Sequence, residues 1–451
     1  VALDALPDLA LVGGGVMGPD DREALMALLR AAPPDVRHPA LDAVRDACTE
    51  ASRDAFVGAL FDAWWLAGAK AKDEHALHAL GHLGGDASAR RLHASLGRLV
   101  DKKVVLLHQS LEALTLFDTD LALSFVQGRG LASHFEDTQT RARTLLTLVA
   151  HRRGIALEAL EDAIVPEVVV SEEDLVLDYG ARSFRIGFDE HLAPHVVDAS
   201  GKRLEKPPAA RKGDDAARAS EARARFERLA EDVTRVARTQ IVRLERALRD
   251  GREWRAADFE RDVVRHPLLR FLAVRLVWQV DGRVFQVTDD LAFLDADDAP
   301  LSLRPDDRVR LAHPLDADRE ALAKLGERFA DYEILQPFPQ IAREVFGPGA
   351  PAPKSAGALV PYAAVLDLLT GTGWRRTSPR DGTVRALVHP LGDGARAEIG
   401  ISPGLTVGPV RARPAQTLST LAFEGVERED LPPRVASELL RDVATLSGHA
   451  R

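Results

Sequence analysis

The sequence predicts a multidomain protein in which an all-α helical-repeat N-terminal half precedes an α+β C-terminal domain with a mostly antiparallel sheet. Apolar residues recur with helical spacing up to residue 163, whereas short alternating runs typical of strands appear after it. In the second part strands and helices do not alternate regularly, which favours α+β over α/β. We therefore expect an irregular or partial start at 1–19, helical repeats at 20–163 and the α+β domain at 164–451.

The clearest repeat junction lies in His75–Leu92, "HALHALGHLGGDASARRL". One helix is predicted to end at Gly84-Gly85, and Asp86 is placed to cap the next helix at once. This junction resembles those of HEAT-type helical repeats. The resemblance implies stacked helix pairs with a shared buried face, and a protein partner bound through the repeats.

Three histidines, His75, His78 and His82, share one face of the first of these helices, opposite its leucines. We expect this face to be a solvated repeat surface. Three imidazoles on one face can also bind zinc with a fourth ligand from elsewhere, but the favoured interpretation contains no metal.

Two local patterns define the C-terminal domain. Apolar residues step by three and four along 215–249, which predicts one long amphipathic helix. Two apolar runs within 276–287 flank Asp281-Gly282, a pair typical of a two-residue β-hairpin turn.

The bulk composition excludes several classes of protein. The net charge of −10 disfavours general attraction to nucleic acid or anionic membranes. Cys48 is the single cysteine, so an internal disulfide or a cysteine-rich zinc site is excluded. No uncharged apolar run reaches the length of about 18 residues needed to cross a membrane. We expect a cytoplasmic protein, and because the chain starts at Val1 we expect further sequence upstream.

Charge is distributed unevenly in the C-terminal domain. Residues 202–255 carry 16 basic and 10 acidic side chains, and residues 286–333 carry 6 basic and 13 acidic side chains. The two segments could pair with each other inside the domain. A basic groove for phosphate or nucleic acid is the alternative, and it is not favoured.

A set of polar residues beside apolar positions forms the candidate ligand-binding site. Its members are Gln240, Arg243, Glu245, Arg252, His266, His313, Gln336, Gln340 and Arg343. Partly buried side chains of these types must be hydrogen-bonded. Two interpretations stay open: a structural polar network that ties helix to sheet, or a pocket for an anionic or amide-bearing ligand.

No catalytic constellation accompanies this set, and no cofactor is predicted. Gly400–Gly404 has the spacing of a hydrolase Gly-x-Ser-x-Gly motif. Pro403 follows the serine and has no N–H for an oxyanion hole, so the esterase interpretation is disfavoured.

Several sequence blocks are similar to the C-terminal domain of the bacterial MolR-type family, which is associated with regulation of molybdate metabolism. They include "HPLLRFLAVRLVW", "YEILQPFPQIAREVF" and "LPPRVASELLRDV", and the likeness covers about residues 175–446. The resemblance implies an α+β domain preceded by helical repeats. It supplies no catalytic residues.

We expect an interaction or regulatory module that binds a ligand or partner. The first alternative is an enzyme acting on an anionic or nucleotide-like substrate, with a histidine (His266 or His313) as acid/base and an arginine (Arg243 or Arg343) holding the anion. The second is a nucleic-acid-associated protein that uses the basic long helix. An open cleft formed by the candidate residues would favour the enzyme, and a buried, mutually satisfied cluster would favour the scaffold.

Overall fold

The computed structural model describes residues 3–34, 36, 38–96, 104–133, 136–166, 172–406 and 413–448. The chain divides into two compact units, 1–166 and 167–451. The first is helical, and the second combines antiparallel sheets with helices. The predicted fold class is therefore confirmed.

The described part of the first unit contains nine α-helices. They are α1 (Pro19–Ala31), α2 (Pro39–Ala47), α3 (Glu50–Leu66), α4 (His75–Leu83), α5 (Asp86–Leu96), α6 (Val104–Phe117), α7 (Asp120–Ala132), α8 (Glu136–Arg153) and α9 (Leu157–Ala163). Their apolar faces form one continuous core that extends from Leu6 to Ile164.

Helix α4 lies inside this core, and the prediction of a solvated histidine face is wrong. His78 is 5% exposed and His82 is 1% exposed. The reason is that α4 packs against α1, α2, α3, α5 and α6, so that of its residues only His75 at the start remains partly exposed. The His82 ring nitrogen Nε2 lies 3.1 Å from the Pro33 carbonyl oxygen, and this contact helps to satisfy the buried ring.

The second unit contains strands that pair only in antiparallel fashion among the described residues. They are β1 (Val176–Asp178), β2 (Ser183–Phe188), β3 (Pro194–Val197), β4 (Arg203–Leu204), β5 (Glu253–Arg255), β6 (Val277–Val280), β7 (Arg283–Val287), β8 (Phe293–Asp295), β9 (Arg308–Leu311), β10 (Leu359–Val360), β11 (Arg375–Arg376), β12 (Thr383–Gly392), β13 (Ala395–Thr406), β14 (Gln416–Leu418) and β15 (Ala422–Glu424).

These strands form three sheets. The first has the order β1-β2-β3-β4, the second β5-β9-β6-β7-β8, and the third β10-β14-β13-β12-β11 with β15 beside β13. Strand β8 is therefore an edge of the second sheet. In the β6–β7 hairpin, Val280 pairs with Arg283, and Asp281 (φ 47°) and Gly282 (φ 80°) form the turn. Two positive φ values are what the twist of a two-residue hairpin requires.

The helices of this unit lie between and beside the sheets. They are α10 (Ala216–Asp250), α11 (Ala256–Phe259), α12 (Arg270–Ala273), α13 (Arg319–Asp331), α14 (Tyr362–Leu368) and α15 (Pro433–Gly448), and a π-helical turn (Glu260–Val264) follows α11. Asp215 caps the start of α10 by accepting from two backbone N–H groups, and Gly251 (φ 67°) ends it. Helices α14 and α15 pack on β12 and β13 in a common apolar core.

Candidate functional site

A buried ion network surrounds Glu438 on α15. Arg343 donates from Nε and Nη2 to the two carboxylate oxygens of Glu438, both at 2.7 Å. Arg249 on α10 approaches Glu438 at 2.8 Å. The side chains of Arg343, Glu438 and Arg249 are 0%, 4% and 6% exposed. Since isolated charges are costly to bury, this geometry makes the three groups mutually dependent.

The network continues along α15 to Asp442. Arg249 donates to both oxygens of Asp442 at 2.8 and 2.6 Å, a bidentate arrangement. The Trp374 indole N–H donates to the same carboxylate at 2.9 Å. At the other end, Arg343 donates from Nη1 to Glu245 at 3.0 Å. The cluster therefore joins α10, α15 and the segment after α13.

His313 completes the network as a neutral imidazole. Its Nδ1 accepts from the Leu315 backbone N–H at 3.1 Å, so the proton lies on Nε2, which donates to Glu438 at 3.0 Å. Burial lowers the pKa of His313 below its ordinary value, against the opposing effect of Glu438. Burial alone would raise the pKa of Glu438, but hydrogen bonds from Arg343 and His313 and the charge of Arg249 lower it.

A second arrangement, which we call the glutamine clamp, consists of Gln340 and Gln336. The Gln340 amide accepts from the Val277 N–H at 2.9 Å and donates to the Val277 carbonyl at 2.6 Å and to the Ala312 carbonyl at 3.0 Å. Gln336 donates to Gln340 at 3.1 Å. Gln340 is fully buried, and it satisfies backbone groups of β6 and of the residue after β9.

The other predicted residues make local contacts. Gln240 accepts from Arg243 Nε at 2.6 Å, within α10. His266 Nδ1 accepts from the backbone N–H groups of Leu268 and Leu269, which fixes a turn. Arg252 lies over the Trp254 ring at 4.6 Å. Of the nine residues, Glu245, His313 and Arg343 thus share one network, and Gln336 and Gln340 form the clamp.

Sequence reasoning missed four members of the network, namely Arg249, Trp374, Glu438 and Asp442. A signal existed for the two acids on α15. Glu438 and Asp442 are spaced four residues apart and accompany the buried residues Leu439 and Val443 on that helix. Charged residues at core-facing helix positions indicate buried partners.

Open space lies at the C-terminal end of α13, in two neighbouring clefts. The polar cleft has a volume of about 450 Å³ and is lined by charged and amide side chains and Tyr332, together with the apolar Val274, Val287, Leu294 and Ile334. The apolar cleft has a volume of about 600 Å³ and is lined mainly by Phe329, Ile334, Leu335 and Ile341. Glu333 and Ile334 line both clefts, so the segment 332–335 separates them.

The residues at the rim of these clefts are more exposed and less engaged in hydrogen bonds than those of the buried network. Tyr332 is 75% exposed and Leu335 is 59% exposed. The carboxylates of Asp289 and Glu333 are exposed and have no hydrogen-bond or ion-pair partner in the part of the chain that the structure describes. Gln286 is only 8% exposed, yet its amide nitrogen has no partner among the described residues. These groups are available to a ligand.

The chain is similar to proteins of unknown function. Residues 201–374 match the family model "Domain of unknown function (DUF4132)". The chain is 33% identical over 379 residues to the "Uncharacterized protein YehI" of Escherichia coli (strain K12). This alignment covers 81% of the chain but 31% of that relative, so the chain spans about a third of the relative's length. No solved structure matches the chain.

The DUF4132 match contains both clefts and the glutamine clamp, and it ends at Trp374, before Glu438 and Asp442. Within the described residues, the one group of three potential metal ligands that lie close together is Asp189, Glu190 and His191, at the turn between β2 and β3. No helix in the described ranges has the length and apolar character needed to span a membrane.

Proposed function

We propose that this chain is a non-enzymatic binding module whose α+β unit presents the two clefts at the end of α13 to a ligand or partner. The observation that carries the proposal is the contrast between two sets of polar groups. The predicted site residues are engaged within the protein, in the buried network, the glutamine clamp or local contacts, whereas Asp289, Glu333 and Tyr332 border open space and remain available. A rigid scaffold with a preformed cleft is the usual arrangement of a ligand site.

The proposal includes three further features. We propose HEAT-like repeats in the first unit as a second surface for a protein partner, since such arrays bind partners along their stacked helices. We also propose a regulatory role of the kind that the MolR-type likeness implies, and a cytoplasmic location. The single, buried Cys48 supports that location.

The enzyme alternative receives less support from the geometry. An acid/base histidine must reach a bound substrate. His313 is fully buried, with Nδ1 bonded to a backbone N–H and Nε2 to Glu438. Arg343, proposed to hold an anion, already bonds two carboxylates. Neither side chain is placed to meet a substrate.

The nucleic-acid alternative requires a continuous exposed arginine stripe on α10. The exposed Arg218, Arg223, Arg228 and Arg238 are instead spread over about 220° around the helix axis. Exposed Glu227 and Glu231 fall within the same arc. This mixed face would give weak, non-selective attraction to phosphate.

The test is a thermal-shift screen with metabolites, nucleotides and oxyanions, including molybdate. A ligand of the folded state raises the melting temperature. We expect the shift to disappear in a Tyr332→Ala/Leu335→Ser variant and to persist in Leu66→Ser, which removes an apolar side chain that is 85% exposed in the first unit. A hit that the chain converts to product would support the enzyme alternative. A hit that persists in the cleft variant would place binding elsewhere.

A further inference from the structure

We infer that the two clefts together bind a peptide segment of a partner protein that carries a basic side chain close to an apolar one. This inference rests on the proposed function and names the chemistry of the partner. The polar cleft would take the basic side chain, and the apolar cleft would take its apolar neighbour.

The charge of the polar cleft favours a cation. Asp289 and Glu333 have no partners among the described residues, and Tyr332 offers an exposed aromatic ring beside them. An ammonium or guanidinium group can contact carboxylates and the face of an aromatic ring at once. The C-terminal end of α13 adds the negative end of a helix dipole at the same place.

Two arginines also line the polar cleft, and their terminal guanidinium nitrogens bond groups of the protein. Arg328 forms an ion pair with Asp298 at 2.7 Å and donates to the carbonyls of Asp295 and Ala296. Arg275 donates to the carbonyls of Leu335 and Phe188. Asp298 balances the charge of Arg328, whereas the carbonyl partners of Arg275 are neutral. The three carboxylates of the lining outnumber the two guanidinium groups, so the cleft carries a net negative charge.

The cleft wall contains a donor suited to a peptide backbone. Gln286 is more than nine-tenths buried and lines the polar cleft. Its amide oxygen faces Arg328 at 3.5 Å, whereas its amide nitrogen has no partner in the described part of the chain. This nitrogen is a free donor on the cleft wall. A main-chain carbonyl of the bound peptide would satisfy it.

The apolar cleft supplies the second half of the recognition. Phe329, Ile334, Leu335 and Ile341 form its walls, and Leu335 is largely exposed. Because Glu333 and Ile334 border both clefts, a peptide that fills both must place its basic and apolar side chains within a few residues of each other. A small cation would fill the polar cleft alone and leave this surface in water.

The segment between the clefts is held in place before any ligand binds. The Ile334 N–H donates to the Phe329 carbonyl at 2.7 Å, and Arg275 and Gln336 connect the segment to residues beside β6. Glu333 has a positive φ of 53°, which turns the chain between the two clefts. A preformed surface lowers the entropic cost of binding.

Three fluorescently labelled ten-residue peptides test the inference by anisotropy with the full chain. The first intersperses Arg and Leu with Gly, the second replaces each Arg by Glu, and the third replaces each Leu by Gly. Spermidine serves as a competing small cation. We expect the Arg/Leu peptide to bind about tenfold more tightly than either other peptide, because each lacks one of the two contacts.

Two matched variants locate the binding. Asp289→Asn/Glu333→Gln removes both cleft carboxylates and should weaken the Arg/Leu peptide about tenfold. Glu221→Gln/Glu231→Gln removes two exposed carboxylates of α10 and should change the affinity less than twofold. Leu335→Ser should weaken the Arg/Leu peptide and leave the Arg/Gly peptide unchanged.

The outcomes separate this inference from the proposed function. Equal binding of the three peptides, complete displacement by spermidine, or equal effects of the two double variants would overturn the peptide inference. If a small molecule from the thermal-shift screen depends on Tyr332 while no peptide binds, the inference fails and the proposed function stands. If nothing depends on the cleft residues, both fail.

Discussion

Two regions of the α+β unit use the same residue types in opposite ways. In the buried network Arg343 is fully buried and bonds Glu438, Glu245 and the Pro339 carbonyl. At the clefts the carboxylates of Asp289 and Glu333 are exposed and have no partners in the described residues. A buried charge needs partners within the chain because it has lost its hydration, whereas an exposed charge is hydrated and can bind a group of another molecule.

The difference teaches where function should be sought in this fold. Polar residues in apolar surroundings stand out in the sequence, but most of them serve the structure here. The cleft residues stand out only when burial and pairing are known together. Substitutions in the network should therefore lower stability, and substitutions at the clefts should change binding while leaving stability intact or raising it.

The largest expected effect belongs to Glu438→Gln. The neutral amide leaves Arg249 and Arg343 buried beside it with less compensating charge, and its NH₂ group faces their donors. We expect the free energy of unfolding to fall by about 3–5 kcal/mol. Chemical denaturation monitored by tryptophan fluorescence measures this change, because Trp374 bonds the neighbouring Asp442.

Glu344→Gln is the matched control for this substitution. Glu344 follows Arg343 in the chain, but it is exposed and has no partner among the described residues. Its replacement should change the free energy of unfolding by less than about 0.5 kcal/mol. Similar losses of unfolding free energy in the two variants would show that the buried network stabilises the fold no more than an exposed carboxylate does.

The next effect concerns pH. Burial lowers the pKa of His313, opposed by Glu438 and assisted by Arg434 and Arg343, and burial also lowers the pKa of His389. Because the folded pKa lies below the unfolded value of 6.5, the unfolded state binds more protons below that pH. Stability should be retained above pH 6.5 and should fall as the pH drops below it.

The measurement compares the free energy of unfolding at pH 7.5 and 5.5. Each such histidine contributes at most about 1.4 kcal/mol per pH unit. His313→Gln retains an N–H donor toward Glu438 but cannot titrate, so its loss between the two pH values should be smaller. The exposed His191→Gln should behave as the wild type. An unchanged slope in His313→Gln would refute the assignment of a neutral buried imidazole.

The sequence predicted those features that depend on neighbouring residues. The Asp281-Gly282 turn and the apolar stripe of α10 are local patterns, and the structure has a hairpin and a helix there. The network depends on contacts between distant residues: Arg249 and Asp442 are separated by 193 positions, and Arg343 and Glu438 by 95. No periodicity identifies such partners, so Gln340, His313 and Arg343 could be selected but not placed.

For the histidines of α4, a local sequence pattern led to a wrong prediction. A pattern of leucines opposite histidines indicates one wet face only when one side of the helix is free. Here the helix is surrounded, and Gly81 lies so close to α6 that a Cβ there would meet the Ala113 carbonyl at 2.4 Å. The tertiary fold determines how many elements pack around a helix. The sequence of the helix itself gives little indication of that number.

The smallest effect gives the sharpest contrast between the two regions. Glu333 holds a φ of 53°, a conformation that costs a residue with a Cβ about 1–2 kcal/mol. Glu333→Gly removes this cost and adds conformational entropy to the unfolded chain, so we expect a net gain of about 0.5 kcal/mol in unfolding free energy. The same change should weaken binding of the Arg/Leu peptide, because one cleft carboxylate is lost.

Asp381→Gly, at φ 52° and outside both clefts, is the matched control. It should give a similar gain in stability with unchanged peptide affinity. If Glu333→Gly lowered stability as a network substitution does, Glu333 would belong to the scaffold and the distinction between the two regions would fail.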